Sequence, residues 1–162
     1  MTELSLTFLD ANVLLYSVDD RMPAKRDRAQ QWVTACWTRR CGRTSAQVLE
    51  EFYANARKKF PTAISAGDAR AIVRRYQLWN PWQNDPATLE TAWAIESRYG
   101  FGWWDALVVA AAQQQGCRYL VSEDLQHGLQ VDSVQILNPF ETGPDVLEGE
   151  PPVPIAIAKV QR

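Results

Sequence analysis

Four short strand-like segments, Leu4 to Leu9, Cys41 to Thr44, Arg118 to Val121 and Val134 to Leu137, are separated by stretches of helical periodicity. Strands interleaved with helices bury their apolar sides best when the strands lie side by side, mostly parallel, with helices on both faces. The expected fold is therefore α/β, a three-layer α/β/α sandwich around a mostly parallel sheet. Pro23 opens a helix in which Ala29, Trp32, Val33 and Cys36 recur at i, i+3, i+4 and i+7. Ser45 is suited to cap a helix running from Ala46 to about Phe60, with Val48, Phe52, Ala56 and Phe60 inward and Pro61 as its stop. Ser65 begins another, with Ala69, Ile72, Val73 and Tyr76 on one face. Beyond the loop marked by Asn80-Pro81 and Asp85-Pro86, a further helix runs to about Tyr99. Gly100 and Gly102 frame a turn before a helix that places Trp104, Leu107, Val108 and Ala111 inward and ends near Gly116.

A chain of 162 residues is expected to form one domain, here residues 1–142, followed by a Pro-rich tail, 143–162, that holds four of the nine prolines. The tail reads as an extended or flexible arm, ordered by a partner if at all. The longest uninterrupted apolar run, Ala106 to Ala112, is seven residues, too short to span a membrane. The amino terminus lacks the basic and apolar blocks of a signal peptide, which points to the cytoplasm. A net charge of −2 excludes a global positive field that would draw nucleic acid to the whole surface. Cys36, Cys41 and Cys117 with a single His127 make a zinc site hard to assemble, and buried free thiols are the expected state. One histidine, assigned to a turn with Gly128, also argues against nucleophilic triads. The absence of G-x-G-x-x-G and G-x-x-x-x-G-K-[ST] patterns argues against a nucleotide cofactor. Whatever chemistry the chain performs must be built largely from carboxylates.

Parallel α/β sheets place their binding crevice at the carboxyl ends of the strands. Asp10 ends the first strand and Asp124 follows the third. Asp105 lies in the first turn of the Trp104 helix, and either Glu50 or Glu51, neighbours ~100° apart on a helix, projects from the Ser45-capped helix. Taken singly, each has a simpler role as a helix cap, a partner of the helix dipole or solvated surface. Taken together they offer four carboxylates to one edge of the sheet, a cluster that a divalent cation would neutralise. An all-oxygen site suits Mg²⁺ or Mn²⁺, and the matching chemistry is phosphodiester hydrolysis by a metal-activated water. Asn12 and Ser122 flank the carboxylates as positioning groups or phosphate contacts.

Four segments occur in order: Phe8-Leu9-Asp10-Ala11-Asn12-Val13-Leu14, Ser45-Ala46-Gln47-Val48-Leu49-Glu50-Glu51-Phe52, Trp104-Asp105-Ala106-Leu107-Val108-Val109-Ala110-Ala111-Ala112 and Leu120-Val121-Ser122-Glu123-Asp124-Leu125. Over about residues 5–140 this set resembles the PIN-domain ribonucleases, and among them most the VapC toxins of type II toxin–antitoxin systems. The resemblance implies a PIN-like sandwich and an Mg²⁺- or Mn²⁺-dependent endoribonuclease. It implies that Asp10, Glu51, Asp105 and Asp124 are the catalytic and metal-holding set, and it selects Glu51 over Glu50. It further implies a homodimer held inactive by a small antitoxin protein.

An RNA substrate needs a cationic rim around the acidic centre. Arg57, Lys58 and Lys59 at the end of one helix, and Arg70, Arg74 and Arg75 on the next, are the candidates, although a solvated surface is the simpler reading of such runs. Unpaired bases would stack on exposed aromatics. Of the seven tryptophans, Trp32 and Trp93 are expected in the core, whereas Trp79 and Trp82, beside Pro81, suit an interface. Two competing readings are a DNA- or structure-specific nuclease of related fold and a non-catalytic nucleic-acid-binding module. An aspartyl phosphotransferase fits less well, because Asn12 stands where a second aspartate is usual.

Overall fold

Thr7–Leu9 form β1, three residues buried on both faces and stopped at Asp10. The computed structural model describes residues 4–59 and 64–156. With β2 (Gly42–Arg43), β3 (Tyr119–Val121), β4 (Gln130–Val131) and β5 (Val134–Leu137), β1 builds a five-stranded sheet in the order β2-β1-β3-β5-β4. All pairings are parallel except β4 with β5. Leu9 lies opposite Val121, and Val121 opposite Leu137, so the central strands end level with one another. The three central strands are buried on both faces and mostly apolar, with Thr7 and Gln135 as buried polar exceptions.

The helices are α1 (Ala11–Tyr16), α2 (Pro23–Thr38), α3 (Ala46–Lys59), α4 (Ala66–Tyr76), α5 (Pro86–Tyr99) and α6 (Trp103–Gln114). Their starts follow the expected chemistry. Ser45 Oγ accepts the Val48 amide at 3.2 Å, Ser65 caps α4 through Asp68, and Asp85 with Thr88 forms a capping box on α5. Gly116, at φ +71°, turns the chain after α6, a conformation that costs glycine little. Ala106 through Ala112 are all buried, because α6 is enclosed by the sheet and by α5.

The structure departs from the sequence expectations at several places. β4 and the six-residue α1 add to the expected elements. Trp104, expected inward, is 65% exposed, and Trp93, expected in the core, is 47% exposed. Trp79 packs half-buried over Gly42, where an added Cβ would come within 2.4 Å of its indole. Its ring also meets Trp37 and Tyr76 at 4.8 and 4.9 Å. Trp82 donates its indole N–H to the buried Thr88 hydroxyl at 2.9 Å.

Residues 144–148, expected to lie in an extended tail, form a 3-10 turn that buries Val146 and Leu147. Ile155 then pairs with Leu129 as a parallel bridge, its N–H donating to the Gly128 carbonyl at 2.8 Å and its carbonyl accepting from Gln130 at 2.8 Å. Phe60 and Pro61, expected at the end of α3, and residues 157–162 of the tail lie outside the described residues. Among the described residues no helix is long and apolar enough to cross a membrane, and Cys36, Cys41 and Cys117 are buried free thiols.

Candidate active site

The level ends of β1 and β3 bring two loops together. Asp10 leaves β1 as the cap of α1, one carboxylate oxygen accepting the Ala11 amide at 2.8 Å. The other accepts the Ser122 hydroxyl at 2.8 Å, across 112 residues of chain. Asn12, in the first turn of α1, ties the loops further. Its amide nitrogen approaches Ser122 Oγ at 3.0 Å and an Asp124 carboxylate oxygen at 3.2 Å, while its side-chain oxygen accepts the Glu123 amide at 3.1 Å. Ser122 Oγ also accepts the Asp124 amide at 3.2 Å. Asn12 and Ser122 thus set the separation of Asp10 and Asp124.

A cleft of about 380 Å³ opens beside this junction, and its walls include Asp10, Glu51, Asp105 and Asp124. The α3 wall is held by Gln47, which donates to Glu51 Oε1 at 3.2 Å and reaches the Trp104 carbonyl on α6 at 3.4 Å. Glu50, one residue earlier, faces a different groove, between α3 and α4. Among the described residues no three acidic, histidine or cysteine side chains crowd closely enough to form a ready-made metal cage.

Electrostatics bind the set together all the same. Burial pushes the Asp10 carboxyl up to about 6, against the pull of the Ser122 and Ala11 hydrogen bonds, and the charges of Glu51 and Asp124 push it further the same way. Asp105 is also raised, by burial first and then by Asp124. Four carboxylates on one cleft, two of them (Asp10 and Asp105) held back from ionising, are suited to a hard divalent cation that retains several waters, which needs only one or two protein carboxylates.

The cationic candidates divide. Lys58 continues the α3 face of Glu51 and Asn55 at i, i+4 and i+7, which places it on a line with the cleft wall. Arg57 is exposed on the next face. Arg70 and Arg74 are not on the acidic cleft. They line the α3–α4 groove over Leu49, Tyr53 and Val73, and Arg70 donates to the Tyr53 hydroxyl at 3.2 Å.

Sequence reasoning missed Asn55, Arg21, Glu123 and Trp104 as cleft residues. Asn55, four positions after Glu51, was findable from helical spacing. Lys25 pairs with Glu123 across 98 residues, a contact no local pattern carries. His127 accepts the Asn138 amide through Nδ1 at 2.9 Å, a turn-stabilising role.

The PIN domain family model matches residues 7–128 of the chain. A comparison with curated proteins finds no match. Among solved structures the chain is similar to a toxin-antitoxin complex from Klebsiella pneumoniae, with a TM-score of 0.59 and 17% identity, covering 82% of this chain and 97% of that one. At that identity the likeness is one of fold.

Proposed function

The chain belongs to the PIN domain family, and on that premise we propose that it is a divalent-metal-dependent endoribonuclease, the toxin of a VapC-like toxin–antitoxin pair acting in the cytoplasm. The observation that carries the reading is the meeting of carboxylates from four separate elements in one cleft, with Asp10 and Asp105 raised by burial and by their acidic neighbours.

Asp10, Glu51, Asp105 and Asp124 would hold Mg²⁺ or Mn²⁺. Bound there, such an ion supplies Lewis acidity toward water and phosphate oxygen and neutralises charge on the displaced oxygen. The chain's own groups orient and exclude. Ser122 and Asn12 hold Asp10 and Asp124 at a set separation, and Gln47 orients Glu51. Val108 and Leu15 add apolar surface to the cleft lining, which lowers the local dielectric and strengthens the charge interactions beside it. Lys58 and Arg57 extend the α3 side of the cleft as contacts for RNA phosphates, a salt-sensitive and sequence-blind contribution. Arg70 and Arg74 would continue the phosphate path along the neighbouring groove.

Two partners complete the reading. A small antitoxin protein is supported by the fold likeness to a chain solved in a toxin-antitoxin complex. A homodimer is supported by the exposed apolar side chains of Leu78 and Trp93, which a subunit contact would cover.

The test compares cleavage of single-stranded RNA, single-stranded DNA and flap DNA by the purified chain with Mg²⁺, with Mn²⁺ and with EDTA. RNA is expected to be cut only with metal, and Asp10→Asn and Glu51→Gln are each expected to lower the rate at least a hundred-fold. Full RNA cleavage by Asp10→Asn, or cleavage confined to DNA, overturns the proposal.

A further inference from the structure

Trp104 sits in the first turn of α6, immediately before Asp105, and 65% of it is exposed although it lines the acidic cleft. Its backbone is fixed, because its carbonyl faces the Gln47 amide that also holds Glu51. The other strongly exposed tryptophan, Trp93, stacks on Trp103 with ring centroids 6.2 Å apart and planes at 21°. Trp104 has no such ring partner among the described residues. A rigid helix therefore presents a large flat apolar face to solvent at the lip of a cleft walled by carboxylates.

The occupant of that lip must offer a flat face to the indole and must tolerate the acidic wall beside it. A protein surface broad enough to cover the indole would also lie over the neighbouring carboxylates, which is costly without a paired cation, whereas a single base covers the indole alone. A nucleotide meets both demands, since its base has a stacking face while its phosphate lies where the carboxylates and their cation are. Adjacent helical residues point about 100° apart, so a base on Trp104 is displaced from the carboxylate that Asp105 contributes. We propose that Trp104 stacks on the unpaired base flanking the scissile phosphodiester, fixing the register of the RNA in the cleft. This rests on the ribonuclease reading above and adds to it a base-binding subsite. A base in a duplex has both faces occupied, so the subsite selects single-stranded or looped RNA.

The experiment measures binding of a labelled single-stranded RNA by fluorescence anisotropy, with Ca²⁺ replacing Mg²⁺ to keep the strand intact, for wild type, Trp104→Ala and Trp104→Phe. Light scattering runs alongside on the same samples. Trp104→Ala is expected to weaken binding about ten-fold and Trp104→Phe to recover most of the loss. An abasic nucleotide beside the cleavage point is expected to cost the wild type a similar factor and Trp104→Ala nothing. Equal binding by wild type and Trp104→Ala overturns the proposal, as does an abasic penalty that persists in Trp104→Ala. A change of oligomeric state in Trp104→Ala with RNA binding per protomer intact makes the residue a subunit contact and also overturns it. A wild type that cleaves RNA while Trp104→Ala matches it leaves the ribonuclease standing without the subsite. A wild type that neither binds nor cleaves RNA removes both.

Discussion

Asp10 commits both carboxylate oxygens to neighbours, Ala11 and Ser122, yet its pKa rises from 3.8 to about 6 because burial outweighs those bonds. A carboxyl whose folded pKa is raised keeps a proton that the unfolded chain has already released. Between about pH 4 and pH 6 the contribution of Asp10 to the stability of the metal-free protein therefore falls as pH rises, by roughly 2–3 kcal/mol in all, and stays lost above that window. Asp10→Asn cannot ionise. Its thermal midpoint in EDTA is expected to exceed that of the wild type at pH 7.5 and to converge with it near pH 4, as scanning calorimetry at both values would show. A cation must displace the same proton, so Mn²⁺ affinity measured by calorimetry is expected to fall below pH 6. Asp10, Asp105 and Asp124 were legible as candidates because each stands where an apolar strand stops or a helix starts. The choice between Glu50 and Glu51 was not legible from spacing, since neighbours on a helix differ only in which groove they meet, and here one faces the cleft and the other the α3–α4 groove. Trp104 misled for a related reason. Periodicity aligned it with Leu107 and Ala111, but the enclosed part of α6 begins only at Ala106.

The long helices were readable because caps, prolines and apolar stripes act within a few residues of one another. α1 and β4 were not, because six and two residues are too short to show a period. α1 depends on the Asp10 cap, and β4 on its antiparallel partner β5. Capping also positions the site. Ser45 is fully buried between β2 and α3, and its hydroxyl sets the first turn, from which Gln47 projects to hold Glu51 one turn on. Ser45→Ala is expected to cost about 1 kcal/mol, a drop of about 2–4 °C in the thermal midpoint. Catalytic loss beyond that explained by unfolding would report displacement of Glu51, read from the rate at a temperature well below the transition.

Across the whole molecule, the sheet has two edges with different protection. At the β2 side, Trp82 exchanges backbone hydrogen bonds with Thr44 and Ala46. At the β4 side, the segment around Ile155 bonds to Gly128 and Gln130, and the Pro152 carbonyl accepts from the Gln135 side chain at 2.9 Å. Ending the chain after Glu150 removes those three bonds and is expected to lower unfolding stability by about 1–3 kcal/mol in urea titrations. The uncovered edge is expected to raise self-association, measurable by light scattering. The cleft lies at the strand ends rather than along that edge, so the rate per protomer should hold. The order of the strands has a further consequence. β3 sits beside β1 in the sheet, yet it is made more than a hundred residues later, and Ser122 and Asp124 follow it. Until Tyr119–Asp124 have left the ribosome, the nascent polypeptide has no complete acidic pocket, so the cleft can close only after the strand that neighbours β1 has emerged.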